Sequence, residues 1–147
     1  MADRDPACIF CRIVAGEIPA SFVHRDETAT AFMDVRPLTT GHLLVIPNQH
    51  YARLGDAPVE TWTHVMRSAR RLVAALRAGE LPADGVNLLV ADGEAAGQEV
   101  PHLHVHVIPR AAGDGFGFHG RAPLTTPPSR DELDRAAEAI RAAIGDE

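Results

Sequence analysis

Three histidines lie within five residues, and their spacing is the feature of the sequence that most directly suggests chemistry. The segment 100–108 reads VPHLHVHVI, so His102, His104 and His106 alternate with apolar residues. Successive side chains of a β-strand point to opposite faces. The segment therefore predicts a strand with an apolar face toward the core and a row of imidazoles on the other face. Neutral imidazole is a nucleophile toward phosphorus near pH 7, and neighbouring imidazoles can hydrogen-bond or protonate phosphoryl oxygens. A polar sheet face that happens to carry histidine is the alternative.

The length of such a strand disfavours one metal ion bound by all three histidines. At about 3.3 Å per residue, His102 and His106 lie roughly 13 Å apart along the strand. Zinc–nitrogen bonds are only about 2 Å long. A histidine at one end of the row can still join ligands from elsewhere in the chain.

Two further features carry potential chemistry, a pair of cysteines and a glycine-containing loop. Cys8 and Cys11 are separated by two residues, a spacing typical of half a metal site or a redox pair. Two small buried residues near a helix start are the alternative. The segment 92–99 contains Gly93 and Gly97, and glycine lets backbone N–H groups approach an anion closely.

The elements that position these residues follow from the apolar pattern. Helices are predicted at 7–15, 58–78 and 129–144, and strands at 22–25, 28–34, 42–46 and 86–91, besides the histidine strand. The second helix has the clearest signal, because apolar residues from Val59 to Leu76 recur at three- and four-residue spacing. Ser129 and Glu132 form a capping-box pattern at the start of the last helix. Strands with separated helices predict an α+β fold with a mainly antiparallel sheet, in a single domain over 1–147.

Composition and charge exclude several classes of protein. The 147 residues are 46% hydrophobic and 23% charged, which is typical of a folded globular chain. No apolar run approaches the ~20 residues that cross a bilayer, and residues 1–6 are polar where a secretory signal is basic and then apolar. A cytoplasmic protein without membrane association is therefore predicted. The net charge of −6 disfavours nucleic acid as a partner, but leaves a small anionic ligand open.

The segment 102–108 resembles the signature of the histidine triad (HIT) family, in which histidines alternate with apolar residues. The resemblance continues through the following groups: Cys8-Ile9-Phe10-Cys11, Ala15-Gly16-Glu17-Ile18-Pro19, Phe32-Met33-Asp34, Pro37, Gly41-His42-Leu43-Leu44-Val45-Ile46-Pro47, His50 and Ala96-Gly97-Gln98. The opening is similar to that of Hint-like, zinc-containing bacterial members. This resemblance implies an antiparallel sheet of about five strands, a long helix, a C-terminal helix and a two-fold homodimer with a continuous sheet. A monomer that buries the apolar stripe of the long helix internally is the alternative.

The resemblance also implies an activity, which is nucleotidyl hydrolysis or transfer at the α-phosphate of a purine nucleoside phosphoramidate, releasing AMP. It implies that His104 is the nucleophile and forms a covalent nucleotidyl-imidazole intermediate. His106 would contact the phosphate, and His42 would hydrogen-bond at the same site. Gly97 and Gln98 would bind the nucleotide, with Gln98 polarising the α-phosphate or the leaving group.

Two more groups of site residues are implied by the same resemblance. Asp34 would accept hydrogen bonds from the ribose hydroxyls, for which a turn cap is the alternative role. Cys8, Cys11, His50 and His102 would bind a structural zinc ion, because four protein ligands close a tetrahedral shell and leave no open position.

The sequence departs from the family pattern at two positions near the phosphate. Ala91 replaces an amide side chain, and Glu99 replaces a Ser or Thr that commonly contacts the leaving group. A carboxylate at position 99 would repel an anionic leaving group and favour a neutral or cationic amine, unless it points to solvent. Alternative functions are therefore a diadenosine polyphosphate hydrolase or phosphorylase, and a weakly catalytic nucleotide-binding protein. The Gly- and Pro-rich segment 113–128 matches no particular branch.

Overall fold

A five-stranded antiparallel sheet forms the centre of the computed structural model, within the described residues 3–117 and 126–145. The strands are β1 (Phe22–Arg25), β2 (Ala29–Met33), β3 (Leu43–Pro47), β4 (Gly85–Leu89) and β5 (Val105–Arg110). Their order is β1-β2-β3-β5-β4, and every neighbouring pair is antiparallel. The predicted α+β class with an antiparallel sheet of five strands is confirmed.

The helices lie where the sequence predicts them. They are α1 (Ile9–Val14), α2 (Val59–Ala78) and α3 (Arg130–Ala143). The capping box of α3 is present, because Ser129 Oγ accepts from Glu132 N–H at 3.2 Å and Ser129 N–H donates to Glu132 Oε2 at 2.7 Å. Across the part of the chain that the structure describes, no helix has the length and apolar character that crossing a bilayer requires. The cytoplasmic location stays a prediction.

The chain divides into two compact units. The first, Met1–Asp114, contains the sheet, α1 and α2, and the second, Gly115–Glu147, contains α3. All the residues of the candidate site belong to the first unit. The single domain over 1–147 stays a prediction, and part of the Gly- and Pro-rich segment, 118–125, lies outside the described residues.

One face of the sheet is covered by α2. Val65, Ala69 and Leu76 of this helix are buried in one apolar cluster with strand residues that include Val45 and Val105. The stripe predicted for α2 therefore faces the sheet, as the three- and four-residue spacing requires. Its first member, Val59 at the helix start, is exposed and does not take part.

The short helix α1 packs on part of the opposite face of the sheet. Phe10 and Ile13 are buried in a second cluster with Phe32, Leu44 and Ile46 of β2 and β3. A helix of six residues has too few internal hydrogen bonds to be stable alone. Packing against the sheet is therefore what holds α1 in place.

The histidine strand begins later than the sequence pattern predicts, so the predicted start is wrong. Pairing in β5 starts at Val105, so His102 and His104 precede the strand. The main-chain N–H of Leu103 donates to the carbonyl of Tyr51 at 2.6 Å. Because that hydrogen bond goes to a loop, this part of the chain does not join the ladder with β3.

The strand predicted at 86–91 was expected to be buried, and this expectation is wrong. β4 ends at Leu89 and lies at the edge of the sheet, with β5 as its neighbour on one side. Leu88 and Leu89 are 43% and 37% exposed. An apolar run alone does not distinguish a central strand from an edge strand, because that position depends on pairing with distant residues.

A carboxylate between two histidines fastens the β1–β2 turn to α2. Asp26 Oδ2 lies 2.9 Å from Nε2 of both His24 and His64, while its Oδ1 accepts from the N–H groups of Thr28 and Ala29. Burial alone would raise the pKa of Asp26. The hydrogen bonds from His64, Ala29, His24 and Thr28 outweigh burial and hold that pKa well below its usual range.

Two glycines with positive φ provide a matched test of packing beside β3. A Cβ added at Gly41 (φ +93°) would lie 3.0 Å from Leu81 Cδ1 and 3.1 Å from Pro109 Cγ, whereas one at Gly16 (φ +80°) meets no atom within 4 Å. Both alanine substitutions incur backbone strain. We expect Gly41→Ala to lower the free energy of unfolding by about 1 kcal/mol more than Gly16→Ala, because only Gly41 is crowded. Equilibrium urea unfolding measures the difference, and equal losses would contradict this packing.

Candidate active site and metal centre

The three histidines of the motif divide between two adjacent groups. The side chain of His102 lies with Cys8, Cys11 and His50. His104 and His106 line a cavity instead. The rings do not form an open polar row, since His102 is fully buried and His104 is only 6% exposed.

The first group has the dimensions of a tetrahedral metal site. His102 Nδ1 lies 3.4 Å from Cys8 Sγ and 3.6 Å from Cys11 Sγ, and His50 Nδ1 lies 3.4 Å from Cys11 Sγ. Zinc bonds of about 2.3 Å to sulfur and 2.0 Å to nitrogen give sulfur–nitrogen edges of about 3.5 Å in a tetrahedron. Two thiols and two imidazoles are also donors that zinc prefers.

The protonation state of His102 also leaves a nitrogen lone pair available for a metal. His102 Nε2 lies 2.9 Å from the carbonyl oxygen of Pro47, so this nitrogen carries the proton and donates it. The lone pair of Nδ1 therefore faces the thiols, and burial lowers the pKa of His102 to about 4, which keeps the ring neutral. Burial raises the pKa of Cys11 to about 11. A buried cation would compensate by stabilising the thiolate, which is the form that binds metals.

His104 presents an unprotonated ring nitrogen to the cavity. Its Nδ1 lies 2.6 Å from the main-chain carbonyl oxygen of His102, so Nδ1–H donates and Nε2 of the neutral ring holds a lone pair. Burial lowers the pKa of His104, although the carbonyl and the charge of Asp34 act in the opposite direction. The ring is therefore neutral near pH 7, as a nucleophile must be.

His42 and His106 form a chain of hydrogen-bond donors. Leu38 N–H donates to His42 Nδ1 at 3.0 Å, so the neutral ring of His42 has its proton on Nε2 and donates to His106 Nδ1 at 2.9 Å. His106 is left with a proton on Nε2. Burial, followed by the nearby rings of His104 and His42, lowers the pKa of His106 to about 4. Burial also lowers the pKa of His42, against the charge of Asp34.

Asp34 adjoins this chain, and the three side chains are close enough together to suggest a second metal site. One ligand atom each of Asp34, His42 and His106 lies within 4.8 Å of the others. Metal binding at His42 Nε2 would move the proton to Nδ1, where it would face the N–H of Leu38. The arrangement therefore favours donation to an anion over metal binding. Asp34 also caps a turn, since its Oδ1 accepts from Arg36 N–H at 2.8 Å, while Oδ2 lies 3.6 Å from His42 Nε2.

The cavity beside His104 and His106 has a volume of about 590 Å³ and a lining of two kinds. The imidazoles and Asp34 are its polar part. The apolar side chains, here called the apolar wall, include Ile9, Phe10, Ile13, Ile18, Pro19 and Phe32. Sequence reasoning missed this apolar wall, although Phe10 lies inside the cysteine motif, because only the packing of α1 on the sheet reveals it.

The side chain of Gln98 hydrogen-bonds to neighbouring loops, and its predicted role at the phosphate stays a prediction. Its side-chain NH₂ donates to the carbonyls of Ala52 at 2.7 Å and Val100 at 3.1 Å, and its Oε1 accepts from Gly93 N–H at 2.8 Å. Its main-chain N–H donates to the Gly93 carbonyl at 3.2 Å. These hydrogen bonds fix the conformation of the loop around Gln98. Gly97 is in the left-handed region (φ +88°), which favours glycine.

The two departures from the family pattern lie in different surroundings. Glu99 is exposed and accepts from Arg36 Nη2 at 2.8 Å, at the mouth of the cavity that both residues line. Ala91 is buried and contributes only a methyl group. The carboxylate at position 99 is thus paired with a cation at the surface.

Comparison with known proteins identifies the family. The HIT domain model matches residues 15–113. An uncharacterised HIT-like protein of Methanocaldococcus jannaschii is 44% identical over 108 residues, which is 74% of this chain and 82% of that protein. The chain belongs to the HIT family, and the resemblance drawn from its motifs is confirmed.

Two further relatives bear on the site. The crystal structure of a zinc-bound histidine triad family protein from Mycobacterium smegmatis aligns with a TM-score of 0.74 at 39% identity, over 94% of this chain and 98% of that one. An adenosine 5′-monophosphoramidase of Saccharomyces cerevisiae is 41% identical over 109 residues, covering 74% of this chain and 66% of that protein.

The lowered pKa of His106 predicts a pH-dependent stability. The folded ring has a pKa of about 4 and the unfolded one about 6.5, so the unfolded chain binds the proton first as the pH falls. The free energy of unfolding should therefore decrease between pH 6.5 and 4, and His106→Asn should remove roughly 1–2 kcal/mol of that decrease. Urea unfolding of both proteins at pH 7.5 and 5, with zinc content checked, measures this. Parallel pH profiles would contradict it.

Proposed function

We propose that the protein is a nucleotidyl hydrolase that cleaves a purine nucleoside phosphoramidate at its α-phosphate and releases AMP. The observation that carries this proposal is the lone pair of His104 Nε2, which the hydrogen bond from Nδ1–H to the His102 carbonyl leaves unprotonated beside the cavity. The yeast relative named as an adenosine 5′-monophosphoramidase supports the choice of substrate.

In the first step, His104 Nε2 attacks the α-phosphorus. A phosphorus–nitrogen bond to the ring forms as the bond to the leaving amine breaks, and the amine departs with that electron pair and a proton. The Nε2–H of His106 faces the phosphoryl oxygens at the end of the chain from Leu38 and His42. The departing amine takes a proton that enters the site with the substrate, while the neutral ring of His106, whose Nδ1 accepts from His42, keeps its Nε2–H on a phosphoryl oxygen.

In the second step, water attacks the phosphorus of the nucleotidyl–His104 intermediate. A phosphorus–oxygen bond forms and the bond to Nε2 breaks. The water molecule gives its hydroxyl to the phosphorus, and its other proton leaves the cavity with AMP, which restores the resting site. His104 is neutral again because its burial disfavours the imidazolium. AMP then leaves the cavity.

The polar and the apolar lining of the cavity each bind a different part of the nucleotide. The base packs against the apolar wall that includes Phe10 and Ile13. Asp34 Oδ2 accepts hydrogen bonds from the ribose hydroxyls, while its Oδ1 accepts from Arg36 N–H in the turn. Gly97 brings the loop backbone toward the phosphate, and Gln98 holds that loop in shape. Among the described residues, the apolar wall has no hydrogen-bonding side chain that would select one base. The proposed preference for a purine is therefore drawn from the yeast relative.

We also propose that Cys8, Cys11, His50 and His102 bind a structural zinc ion. The ligand distances match a tetrahedron, and the zinc-bound relative from Mycobacterium smegmatis supports the choice of metal. Zinc, when bound, would supply four bonds that join α1 to the loops before β5 and after β3. A shell closed by four side chains has no position for a reacting water, so we expect the reaction itself to depend on the histidines.

A two-fold homodimer completes the proposal. β4 is an edge strand with Leu88 and Leu89 exposed. An uncovered edge offers main-chain N–H and C=O groups to a partner strand. Pairing of β4 with its symmetry copy would continue the sheet across both subunits and cover these side chains.

Metal analysis tests the zinc site. We expect about one zinc per chain in purified protein, and we expect Cys8→Ser to lose most of it along with several degrees of thermal stability, because one thiolate ligand is removed. His64→Asn, which changes a histidine outside the group, serves as the control and should keep its zinc. Full zinc content in a Cys8→Ser, Cys11→Ser double variant would contradict the assignment.

Substitution of the nucleophile tests the reaction. We expect His104→Ala to reduce AMP release from adenosine 5′-phosphoramidate about 10³-fold or more, with AMP affinity changed only a few-fold. His64→Ala should retain wild-type turnover. Turnover of His104→Ala above about a tenth of the wild-type rate would exclude a covalent intermediate on this residue.

A further inference from the structure

The short helix α1 is shared by the metal centre and the nucleotide cavity. Cys8 is the N-cap residue directly before α1 and Cys11 lies within it, and both thiols belong to the metal group. Ile9, Phe10 and Ile13 of the same helix line the cavity. The short helix and its N-cap residue together thus carry two of the four metal ligands and part of the apolar wall.

Phe10 touches both sites with one ring. Its centroid lies 5.8 Å from the ring of His102, a member of the metal group, and 5.3 Å from the ring of His104, the proposed nucleophile. It also packs edge-on against Phe32 at 5.5 Å, and it is buried. Its position in the chain, between the two cysteines, means that any shift of the thiols moves this ring.

The main chain of His102 provides a second link between the metal group and His104. The main-chain carbonyl of His102 accepts the hydrogen bond from His104 Nδ1–H at 2.6 Å. The residue whose side chain joins the metal group therefore also holds the ring of the nucleophile.

We propose that zinc binding and nucleotide binding are energetically coupled through α1, with Phe10 as the positioning residue. This inference rests on the proposed function, since a nucleotide is the second ligand. Because α1 is too short to be stable by itself, its packing on the sheet and its bonds to the metal determine its position together. Without the metal, α1 has more freedom, and a nucleotide must first order the wall against which its base packs.

Linkage makes the coupling measurable from either side. If zinc strengthens AMP binding by some factor, AMP strengthens zinc binding by the same factor. We expect about tenfold, within the usual range for coupled sites. Isothermal titration of AMP into zinc-loaded and zinc-stripped protein gives one value. Competition for zinc with a chromophoric chelator, with and without saturating AMP, gives the other.

Phe10→Leu tests the route of the coupling. This variant keeps an apolar side chain but loses the ring contacts, so we expect the coupling to fall below about threefold while zinc affinity without AMP changes little. Phe22→Leu is the matched control, because Phe22 is a half-exposed phenylalanine on β1 outside both sites, and it should keep wild-type coupling.

Circular dichroism of the stripped protein separates local from global effects. If metal removal unfolds the sheet, AMP and zinc become linked through folding itself, and that linkage would persist in Phe10→Leu. Equal AMP affinity in the two metal states, or undiminished coupling in Phe10→Leu, would overturn the inference. Absence of AMP binding to zinc-loaded wild-type protein would instead contradict the proposed function.

Discussion

Main-chain groups determine which nitrogen of each key histidine carries a proton, and the chemistry of the site depends on this constraint. The carbonyl of Pro47 binds the Nε2–H of His102, which leaves Nδ1 for a metal. The carbonyl of His102 binds the Nδ1–H of His104, which leaves Nε2 with the lone pair that the proposed reaction requires. The N–H of Leu38 has the opposite effect on His42, whose Nε2–H then faces His106. Three rings of one residue type are thereby suited to the three roles proposed for them, which are those of a ligand, a nucleophile and a donor.

The sheet places these rings in surroundings that keep them neutral. Its register sets His106 of β5 beside Leu44 of β3, which pairs in turn with Phe32 of β2. The helix α2 occupies the other face, so the face with these residues is free for α1 and the cavity. Burial there lowers the pKa values of the imidazoles. Neutral imidazoles suit the proposed nucleophile. In the proposed reaction, a proton enters the site only when the anionic substrate binds.

Local patterns in the sequence predicted what local physics decides. The capping box at Ser129 and the stripe of α2 follow from spacing within a few positions, whereas the roles of the site residues were implied by the resemblance to the family. The division of the histidines between two groups was expected from the resemblance to the family and not from spacing, because His102 turns toward a carbonyl of β3 and toward thiols near residue 10. The hydrogen bonds of Gln98 to Gly93 in its own loop and to Ala52, which lies 46 positions earlier, were not predicted from spacing either. Each of these depends on contacts between distant segments that spacing does not reveal.

Ring tautomers are directly observable by long-range ¹H–¹⁵N NMR of zinc-loaded protein labelled at histidine. Spectra of His42→Asn and His104→Asn variants identify the two rings that matter most. We expect that near pH 7.5 His104 carries its proton on Nδ1 and His42 carries its proton on Nε2. A proton on Nε2 of His104 would remove the nucleophilic lone pair from the cavity, and this result would contradict the central claim.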